Sequence, residues 1–300
     1  MVSSSHKYER ILIMTEQKKA LIVDLNNVWN KYLYVRKGSF PDTVSAILYL
    51  FRSIYREKEF HKIYVVIDGK PCEKYEEFKE YKSNRKHNPD KYIPMKVLSS
   101  VLSQYFTVVG GKYVEGDEVI GYLATRLSKN YDTYIYSNDK DFLQLMQYGI
   151  KIVTNFKKGH SEVIVSEEEA LNKFKNKNGE PLKELKHILP YRVFKGDSSD
   201  GIPSACKGMF DKVIRDIIEN YWIYDEPFNE DVLLRIVGRV QEPKVKNTLV
   251  TNINNIIRNY KLTDISHIPN DFKSNIQKIW YKLDTDGLNE YVRQKDLYQW

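Results

Sequence analysis

Residues 133–141, Thr-Tyr-Ile-Tyr-Ser-Asn-Asp-Lys-Asp, form a short β-prone run that ends abruptly in aspartates. Two earlier segments have the same form, ALIVD at residues 20–24 and KIYVVID at residues 62–68. Short runs of β-branched and aromatic residues predict strands. Because the carboxyl ends of parallel strands lie along one edge of a sheet, we expect the aspartates that end these runs to approach one another there.

The segments between these runs predict helices. Apolar residues recur at helical spacing after Asp42, after Pro94 and from about Asp117. Strands and helices that alternate in this order are typical of an α/β domain. The sequence therefore predicts a doubly wound, largely parallel sheet.

The chain beyond this alternation predicts a hairpin and then helices. Residues 151–165, KIVTNFKKGHSEVIV, have the pattern of a β-hairpin. Ser166 and Glu169 have the spacing of a capping box, for a helix that we expect to end near Asn178. From about residue 182 onward we expect mostly helices.

These patterns divide the chain into three parts. Residues 1–18 form an N-terminal extension, and the part before Met14 is expected to be either a dispensable extension or the result of an upstream start. Residues 19–165 form the α/β domain, which contains a charged, aromatic segment at 70–93. Residues 166–300 form a helical region, and its last eighty or so residues contain no motif that indicates a function.

Composition limits the kind of protein. Net charge is +7 and the isoelectric point is near 9.0, although the predicted site is acidic. A basic surface attracts polyanions, so the charge favours a phosphate-rich substrate. The two cysteines show no metal-ligand spacing, which fits a reducing cytoplasm and excludes a zinc ribbon. No signal peptide or membrane span is expected.

The acidic positions predict a metal site. Carboxylates gathered at one sheet edge repel one another unless cations lie between them. All-oxygen ligands favour Mg²⁺, with Mn²⁺ as its substitute, over zinc. A single aspartate after a strand is more often a turn or a helix cap, and the acidic run at 115–118 is also typical of the first turn of a helix. Recurrence at three strand ends favours the metal.

Six segments in order give the chain a recognisable pattern. They are LIVD (21–24), VVID (65–68), EYKSNR (80–85), VEGDE (114–118), SNDKDFLQL (137–145) and FKGDSSDGIP (194–203). Together they resemble the 5′ nuclease superfamily of flap endonucleases and 5′→3′ exonucleases, and most of all phage enzymes, including the T-even phage RNase H type. The resemblance covers residues 19–215. It implies a PIN-like 5′ nuclease fold with a helical arch and a degenerate helix-hairpin-helix in the C-terminal helical region.

The resemblance also implies the metal ligands, for two or more Mg²⁺ ions. They are Asp24, Asp68, Glu115, Asp117, Asp139, Asp141, Asp197 and Asp200. Asp197 is favoured over Asp200, because the run at 196–200 is also typical of a turn rich in aspartate and serine. Glu118 stands where the pattern has an aspartate, which leaves its role open.

The segment from Lys70 to Lys96 matches the arch, through which a single-stranded 5′ end passes in this superfamily. It alternates cations, which follow phosphates, with aromatic residues, which stack on unpaired bases. A solvated amphipathic helix with glutamate–lysine pairs is the alternative for residues 73–80.

The resemblance assigns roles to individual arch residues. It implies that Lys82 and Arg85, expected on one helical face, stabilise charge at the scissile phosphate as catalytic residues. Tyr81 is expected to stack on an unpaired base, and Lys79 and Lys86 to bind substrate.

One segment departs from the superfamily pattern. A Gly-x-Gly hairpin usually grips duplex phosphates between two helices, often with a K⁺ ion, but residues 203–212 contain a single glycine. Lys207 and Lys212 are still expected to contact phosphate. From this departure we expect a weaker or differently built duplex grip, helped by a partner protein.

The resulting hypothesis is a Mg²⁺-dependent, structure-specific 5′ nuclease that cuts 5′ ends and flaps of DNA or RNA–DNA duplexes and removes replication primers. We expect a monomer in the cytoplasm of a phage-infected bacterium, with a single-strand-binding protein or a clamp as its partner. One alternative is a non-catalytic protein that binds DNA structures with the same fold. The other is a PIN-type RNA endonuclease, although such domains are much shorter and lack the arch.

Overall fold

The computed structural model describes residues 17–69, 72–83, 92–111, 114–266 and 276–278. Within them seven strands form one sheet, in the order β6-β5-β4-β1-β2-β3-β7. The strands are β1 (Lys19–Asp24), β2 (Lys62–Val66), β3 (Thr107–Gly111), β4 (Asp132–Tyr136), β5 (Lys151–Lys157), β6 (His160–Ile164) and β7 (Ile276–Lys278).

The predicted parallel sheet is confirmed. β1 lies at the centre and pairs in parallel with both β2 and β4, while β3 and β5 continue the parallel part outward. β6 and β7 are the antiparallel edges. Because the chain runs from β1 to β3 on one side and from β4 to β5 on the other, the strand order reverses between β1 and β4. A crevice is expected at such a point, at the carboxyl ends of the strands.

Helices cover both faces of the sheet. In the described residues they are α1 (Leu25–Val35), α2 (Phe40–Glu57), α3 (Cys72–Glu77), α4 (Tyr92–Leu102), α5 (Gly116–Leu127), α6 (Glu167–Asn172), α7 (Ile188–Lys195), α8 (Asp211–Asn220), α9 (Glu230–Arg239), α10 (Pro243–Thr251) and α11 (Ile253–Thr263). Short 3₁₀ segments lie at Lys140–Tyr148, Leu185–His187 and Ser198–Asp200.

Two apolar cores lie on opposite faces of the sheet. On one face, Trp29 of α1, Phe51 of α2 and Leu98 of α4 are buried in a single cluster with residues of β1 and β2. On the other, the core that contains Ile120 of α5 extends without a break to Ile256 of α11. The predicted helical region after residue 182 therefore shares a core with the α/β domain. Its boundary near residue 165, and the helix-hairpin-helix, stay predictions.

Several local predictions need correction. Helix α1 was not expected, and its N-cap is Asp24 itself. Helix α2 begins at Phe40 and not at Asp42 as expected, because the Ser39 side chain accepts a hydrogen bond from the Asp42 amide and so caps the helix. The hairpin and the Ser166–Glu169 capping box are confirmed. Helix α6, however, ends at Asn172, well before the expected residue 178.

The arch segment is only partly helical where the structure describes it. Helix α3 ends at Glu77, and residues 79–83 form turns. Lys82 has φ near +51°, a left-handed conformation that does not continue a helix. The expected placement of Lys82 and Arg85 on one helical face is therefore wrong at Lys82. Arg85 and Lys86 lie outside the described residues.

Candidate active site

Asp24 links the central strand to the helix that follows it. Its Oδ1 accepts a hydrogen bond from the Asn27 amide at 2.9 Å, and this bond caps α1. Its Oδ2 accepts a hydrogen bond from the Ser137 hydroxyl at 3.0 Å. Ser137 lies just after β4, so one carboxylate spans the two strands where the strand order reverses. The side chain is buried at this edge, as the sequence predicted for a residue that ends β1.

A second group of carboxylates surrounds the N-terminus of α5. Glu115 is the N-cap of α5, and its amide donates to the Glu118 side chain at 3.0 Å in a capping box. The Gly116 amide donates to Asp68 Oδ1 at 2.7 Å, which ties the loop after β2 to the same helix end. The negative charges lie at the positive end of the helix dipole.

A third group follows β4. The Asp141 amide donates to Asp139 Oδ1 at 2.9 Å, so the two side chains are fixed at the start of the 3₁₀ segment. The Asp139 amide donates to the Ser137 hydroxyl at 3.1 Å, and that hydroxyl donates to Asp24. Hydrogen bonds thus connect the ends of β1 and β4.

Electrostatics show that these groups face one another. Burial raises the pKa of Asp117 well above its usual range, and the charges of Asp24, Glu115 and Asp68 add to the rise. Burial, followed by the charges of Asp141 and Asp24, raises the pKa of Asp139 to about 7. Since Asp24 acts on both, the two groups form one acidic edge. Such an edge holds more negative charge than it can keep without a cation.

Side chains from the arch segment neutralise Glu115. Lys74 Nζ lies 3.0 Å from Glu115 Oε2 and the Tyr81 hydroxyl donates to the same oxygen at 2.8 Å. Lys82 Nζ donates to Oε1, and it also lies 3.9 Å from Asp200. Burial opposes ionisation of Glu115, but the two lysines outweigh it and hold its pKa at about 2. The first part of the arch segment is thereby anchored to the acidic edge.

Arg192 of α7 connects the acidic edge to the loop that follows α7. Its Nη2 lies 2.7 Å from Asp141 and 3.1 Å from Asp197, and the side chain is 5% exposed. Lys140 Nζ lies 3.1 Å from Asp197. Burial opposes ionisation of Asp197, but hydrogen bonds from Ser199 and the Lys140 charge hold its pKa at about 2.

The predicted ligands therefore lie at one edge, in two groups. Asp24, Asp68, Glu115 and Asp117 form one, and Asp139, Asp141 and Asp197 form the other. Asp200 is buried beside Lys82, whose amide donates to the Asp200 carbonyl oxygen at 2.8 Å. The assignment of each as a metal ligand stays a prediction.

The donor set fits a hard divalent cation in its chemistry. It consists of carboxylate oxygens, some buried and some partly exposed, whose charges repel one another, and Mg²⁺ and Mn²⁺ favour such ligands. Within the described residues no three of them already converge closely enough to hold an ion. Lysine and arginine nitrogens neutralise Glu115, Asp141 and Asp197 in this arrangement.

The expected role of Tyr81 needs correction. Its side chain is 2% exposed and its hydroxyl is bound to Glu115, so its ring is not available to stack on a base in this conformation. Aromatic composition predicted a binding surface, but the turn at 79–83 directs this ring inward. Lys79, Lys207 and Lys212 are exposed, and their predicted contacts with substrate stay predictions.

Two residues of the site were not singled out from sequence. Lys74 was counted among the arch cations, with no sign that it would be buried against Glu115 and Glu118. Arg192 carried no signal at all, since a single arginine on an apolar helix usually lies at the surface. Only the packing of α7 against the 3₁₀ segment after β4 reveals it.

About half of the chain matches a known protein family. Residues 19–175, more than half of the chain, match the model of the 5′-3′ exonuclease, N-terminal resolvase-like domain. The chain belongs to the 5′-3′ exonuclease family. The predicted superfamily and the prediction of a nuclease are confirmed at this level, because members of the family hydrolyse phosphodiester bonds and depend on metal ions.

Individual relatives are distant. The chain is 23% identical to a 5′-3′ exonuclease of Mycoplasmopsis pulmonis, over 78% of this chain and 77% of that protein. It is 28% identical to a 5′-3′ exonuclease of Aquifex aeolicus over 63% of each chain, so it spans less than two thirds of that relative. In fold, this 5′-3′ exonuclease family member is similar to the T5 D15 protein co-crystallised with metal ions. The TM-score is 0.66 at 16% identity, and the match covers 93% of this chain and 99% of that one.

Within the described residues, no helix has the length and apolar character that crossing a bilayer requires.

Proposed function

We propose that this protein is a Mg²⁺-dependent, structure-specific 5′ nuclease that hydrolyses phosphodiesters at 5′ ends and flaps of DNA or RNA–DNA duplexes. One observation carries the proposal: Asp24, at the end of the central strand β1, lies close enough to act on both Asp117, in the first turn of α5, and Asp139, after the adjacent strand β4. Lysines from the arch segment lie on the same edge. An acidic edge beside buried cations suits a reaction at a phosphate.

The acidic edge would hold two or more Mg²⁺ ions, or Mn²⁺ in their place. When bound, such ions lower the pKa of water and stabilise charge on the attacking and leaving oxygens of a phosphodiester. The chain supplies the ligands from Asp24, Asp68, Glu115 and Asp117 on one side, and from Asp139, Asp141 and Asp197 on the other. Asp200 is the weakest candidate, since it lies beside Lys82.

The arch lysine at the edge has an electrostatic role. Lys82 remains protonated: burial lowers its pKa, but the charges of Glu115, Asp117 and Asp200 together outweigh burial and raise it. A fixed positive charge beside the reacting phosphate stabilises the charge that develops in the transition state. In this arrangement Lys82 donates to Glu115, so substrate and cations would compete for the two groups and separate them. Arg85 is proposed as the second such cation.

Substrate recognition follows from the charge distribution. The chain carries a net charge of +7 around an acidic site, and Lys79, Lys207 and Lys212 are exposed. A nucleic acid would be held by its phosphates, with little dependence on sequence. Lys86 is proposed as a further contact on the 5′ strand. Removal of replication primers is the use that fits such an activity, acting as a monomer beside a single-strand-binding protein or a clamp.

The test is cleavage of a 5′-flap duplex, all-DNA or with an RNA flap, in Mg²⁺. Asp139→Ala is compared with Asp132→Asn. Asp132 is the first residue of β4, the strand that precedes Asp139, and it forms an ion pair with Lys151. Binding is measured in parallel in Ca²⁺. We expect wild type and Asp132→Asn to cut near the junction, and Asp139→Ala to bind without cutting.

The opposite result separates the alternatives. A wild-type protein that binds the flap and cuts nothing with Mg²⁺ or Mn²⁺ would be a non-catalytic protein that binds DNA structures. Cleavage confined to single-stranded RNA would favour a PIN-type endonuclease.

A further inference from the structure

An exposed aromatic ring lies in the loop between the 3₁₀ turn at Ser198–Asp200 and helix α8. Phe210 is 79% exposed and occupies the N-cap position of α8, where it makes no side-chain capping bond. Small polar residues are preferred at that position. A phenylalanine there forms no side-chain capping bond and leaves most of its apolar surface in water, so neither helix capping nor burial in the core accounts for it.

The loop is held firmly by the helices beneath it. The Ala205 amide and the Ser204 hydroxyl both donate to the Phe194 carbonyl oxygen, at 3.0 and 2.9 Å. The buried Asn259 side chain of α11 donates to the Pro203 carbonyl oxygen at 2.7 Å. Phe210 is therefore presented from an ordered support.

The same support carries the two aspartates of the preceding turn. The Asp197 amide donates to the Ile202 carbonyl oxygen, and the Ile202 amide donates back, both at 2.8 Å. Gly196 fits only because it has no side chain, since a β-carbon would overlap the Pro203 carbonyl oxygen. The loop closed by these two hydrogen bonds thus connects the acidic edge to the segment that contains Phe210.

The sequence around Phe210 is cationic. Lys207 and Lys212 flank it along the chain, are exposed, and have no ion-pair partner among the residues that the structure describes. The carboxylate between them, Asp211, is already compensated: Arg215 Nε lies 2.6 Å and Lys195 Nζ 3.3 Å from its oxygens. An exposed apolar ring in a segment with two uncompensated lysines is complementary to a surface of sugar rings bordered by phosphates.

We propose that Phe210 is an apolar contact for the base-paired part of the substrate, placed in the minor groove against the sugars, with Lys207 and Lys212 on the flanking phosphates. Apolar side chains of this kind enter minor grooves in proteins that bind duplex by shape. Phosphate contacts set register and orientation on the duplex. The inference rests on the proposed function, and it adds a specific contact where the expected Gly-x-Gly hairpin is missing.

The test measures affinity in Ca²⁺ by fluorescence anisotropy with the full-length protein. The two probes are a hairpin duplex with a 5′ overhang, and a single strand with the sequence of that overhang. Phe210→Ala is compared with Tyr49→Ala, which removes a ring of similar exposure (72%) from α2 on the other face of the sheet. Phe210→Trp keeps an apolar ring and serves as the rescue variant.

We expect Phe210→Ala to weaken duplex binding about tenfold, as loss of a partly buried aromatic contact does. Single-strand binding should not change, and Tyr49→Ala should match wild type. Phe210→Trp should bind the duplex as tightly as wild type does. The fluorescence emission of the introduced tryptophan should change when the duplex is added, but not when the single strand is added. Lys207→Ala and Lys212→Ala should each lower the salt dependence of binding by about one counterion.

The outcomes are distinct. If wild type binds the duplex and Phe210→Ala binds it equally tightly, this inference is overturned and the proposed function still stands. An equal loss for the single strand also overturns it, because the ring would then stack on unpaired bases. If wild type does not bind the duplex at all, both the proposed function and this inference fail.

Discussion

Arg192 Nη2 lies 2.7 Å from Asp141 Oδ1, and this contact joins helix α7 to the segment that follows β4. The same nitrogen lies 3.1 Å from Asp197. Both the arginine and the Asp197 side chain are buried, so their charges stabilise one another in a setting that water does not screen. The position of the second carboxylate group therefore depends on a helix that carries none of the predicted ligands.

Replacing Arg192 with methionine is expected to destabilise the fold by about 3 kcal/mol, because Asp141 and the buried Asp197 lose their buried counter-charge, and Asp197 keeps only the exposed Lys140. Chemical denaturation without divalent metal measures the change. Arg235→Met is the control, since Arg235 pairs with Glu226 at the surface, and little change is expected there. Equal stability of the two variants would show that the Arg192 contacts contribute nothing.

Asp139→Asn is expected to raise the melting temperature of the metal-free protein near neutral pH and above. The pKa of Asp139 is raised to about 7, so the folded state binds more protons than the unfolded state between about pH 4 and about pH 7. The free energy of unfolding therefore falls as pH rises through this window. Asparagine does not ionise, so the variant does not lose this stability. Melting curves in EDTA across the window provide the measurement. A variant that is less stable at every pH would contradict the assigned repulsion.

Metal affinity is expected to increase as pH rises toward and past about 7. A ligand must lose its proton to bind a cation, so protons and Mn²⁺ compete for Asp139. Calorimetric titration with Mn²⁺ at several pH values measures the effect, and Asp139→Asn should flatten it. An affinity independent of pH in the wild type would remove Asp139 from the ligand set.

Lys82→Ala is expected to lower kcat by a factor of about 10² to 10³, the loss typical of one fixed electrostatic group. Single-turnover cleavage of a flap substrate, with binding measured separately in Ca²⁺, separates chemistry from affinity. Lys129→Ala removes an exposed lysine two residues after the end of α5, away from the acidic edge, and should have no effect. A loss that appears only in affinity would make Lys82 a binding residue.

Two helical glycines should respond in opposite directions to alanine. Gly121 in α5 packs against the Ile265 backbone, where a β-carbon would overlap the carbonyl oxygen, so Gly121→Ala should cost about 1–3 kcal/mol. Gly238 in α9 has open space around it, and Gly238→Ala should stabilise by about 0.5–1 kcal/mol. Urea denaturation of both variants tests how closely α5 is held against the chain after α11.

The sequence alone determined that the central strands of the sheet are parallel, and it determined the edge of the sheet at which Asp24, Asp68 and Asp139 lie. These features follow from local patterns, because β-prone runs that end in aspartate, separated by amphipathic helices, permit few other arrangements. The capping box at Ser166 and the hairpin before it are equally local, and both are confirmed.

Only the tertiary structure decided which cations neutralise the acidic edge and which arch side chains face inward. Lys74 and Tyr81 meet Glu115 across more than thirty residues of chain, and Arg192 meets Asp141 across fifty-one. No local pattern encodes such pairs, because each depends on how separate elements pack. The burial of Tyr81 and the exposure of Phe210 have the same origin: composition indicates that a ring is present, but packing decides whether it faces the core or the solvent.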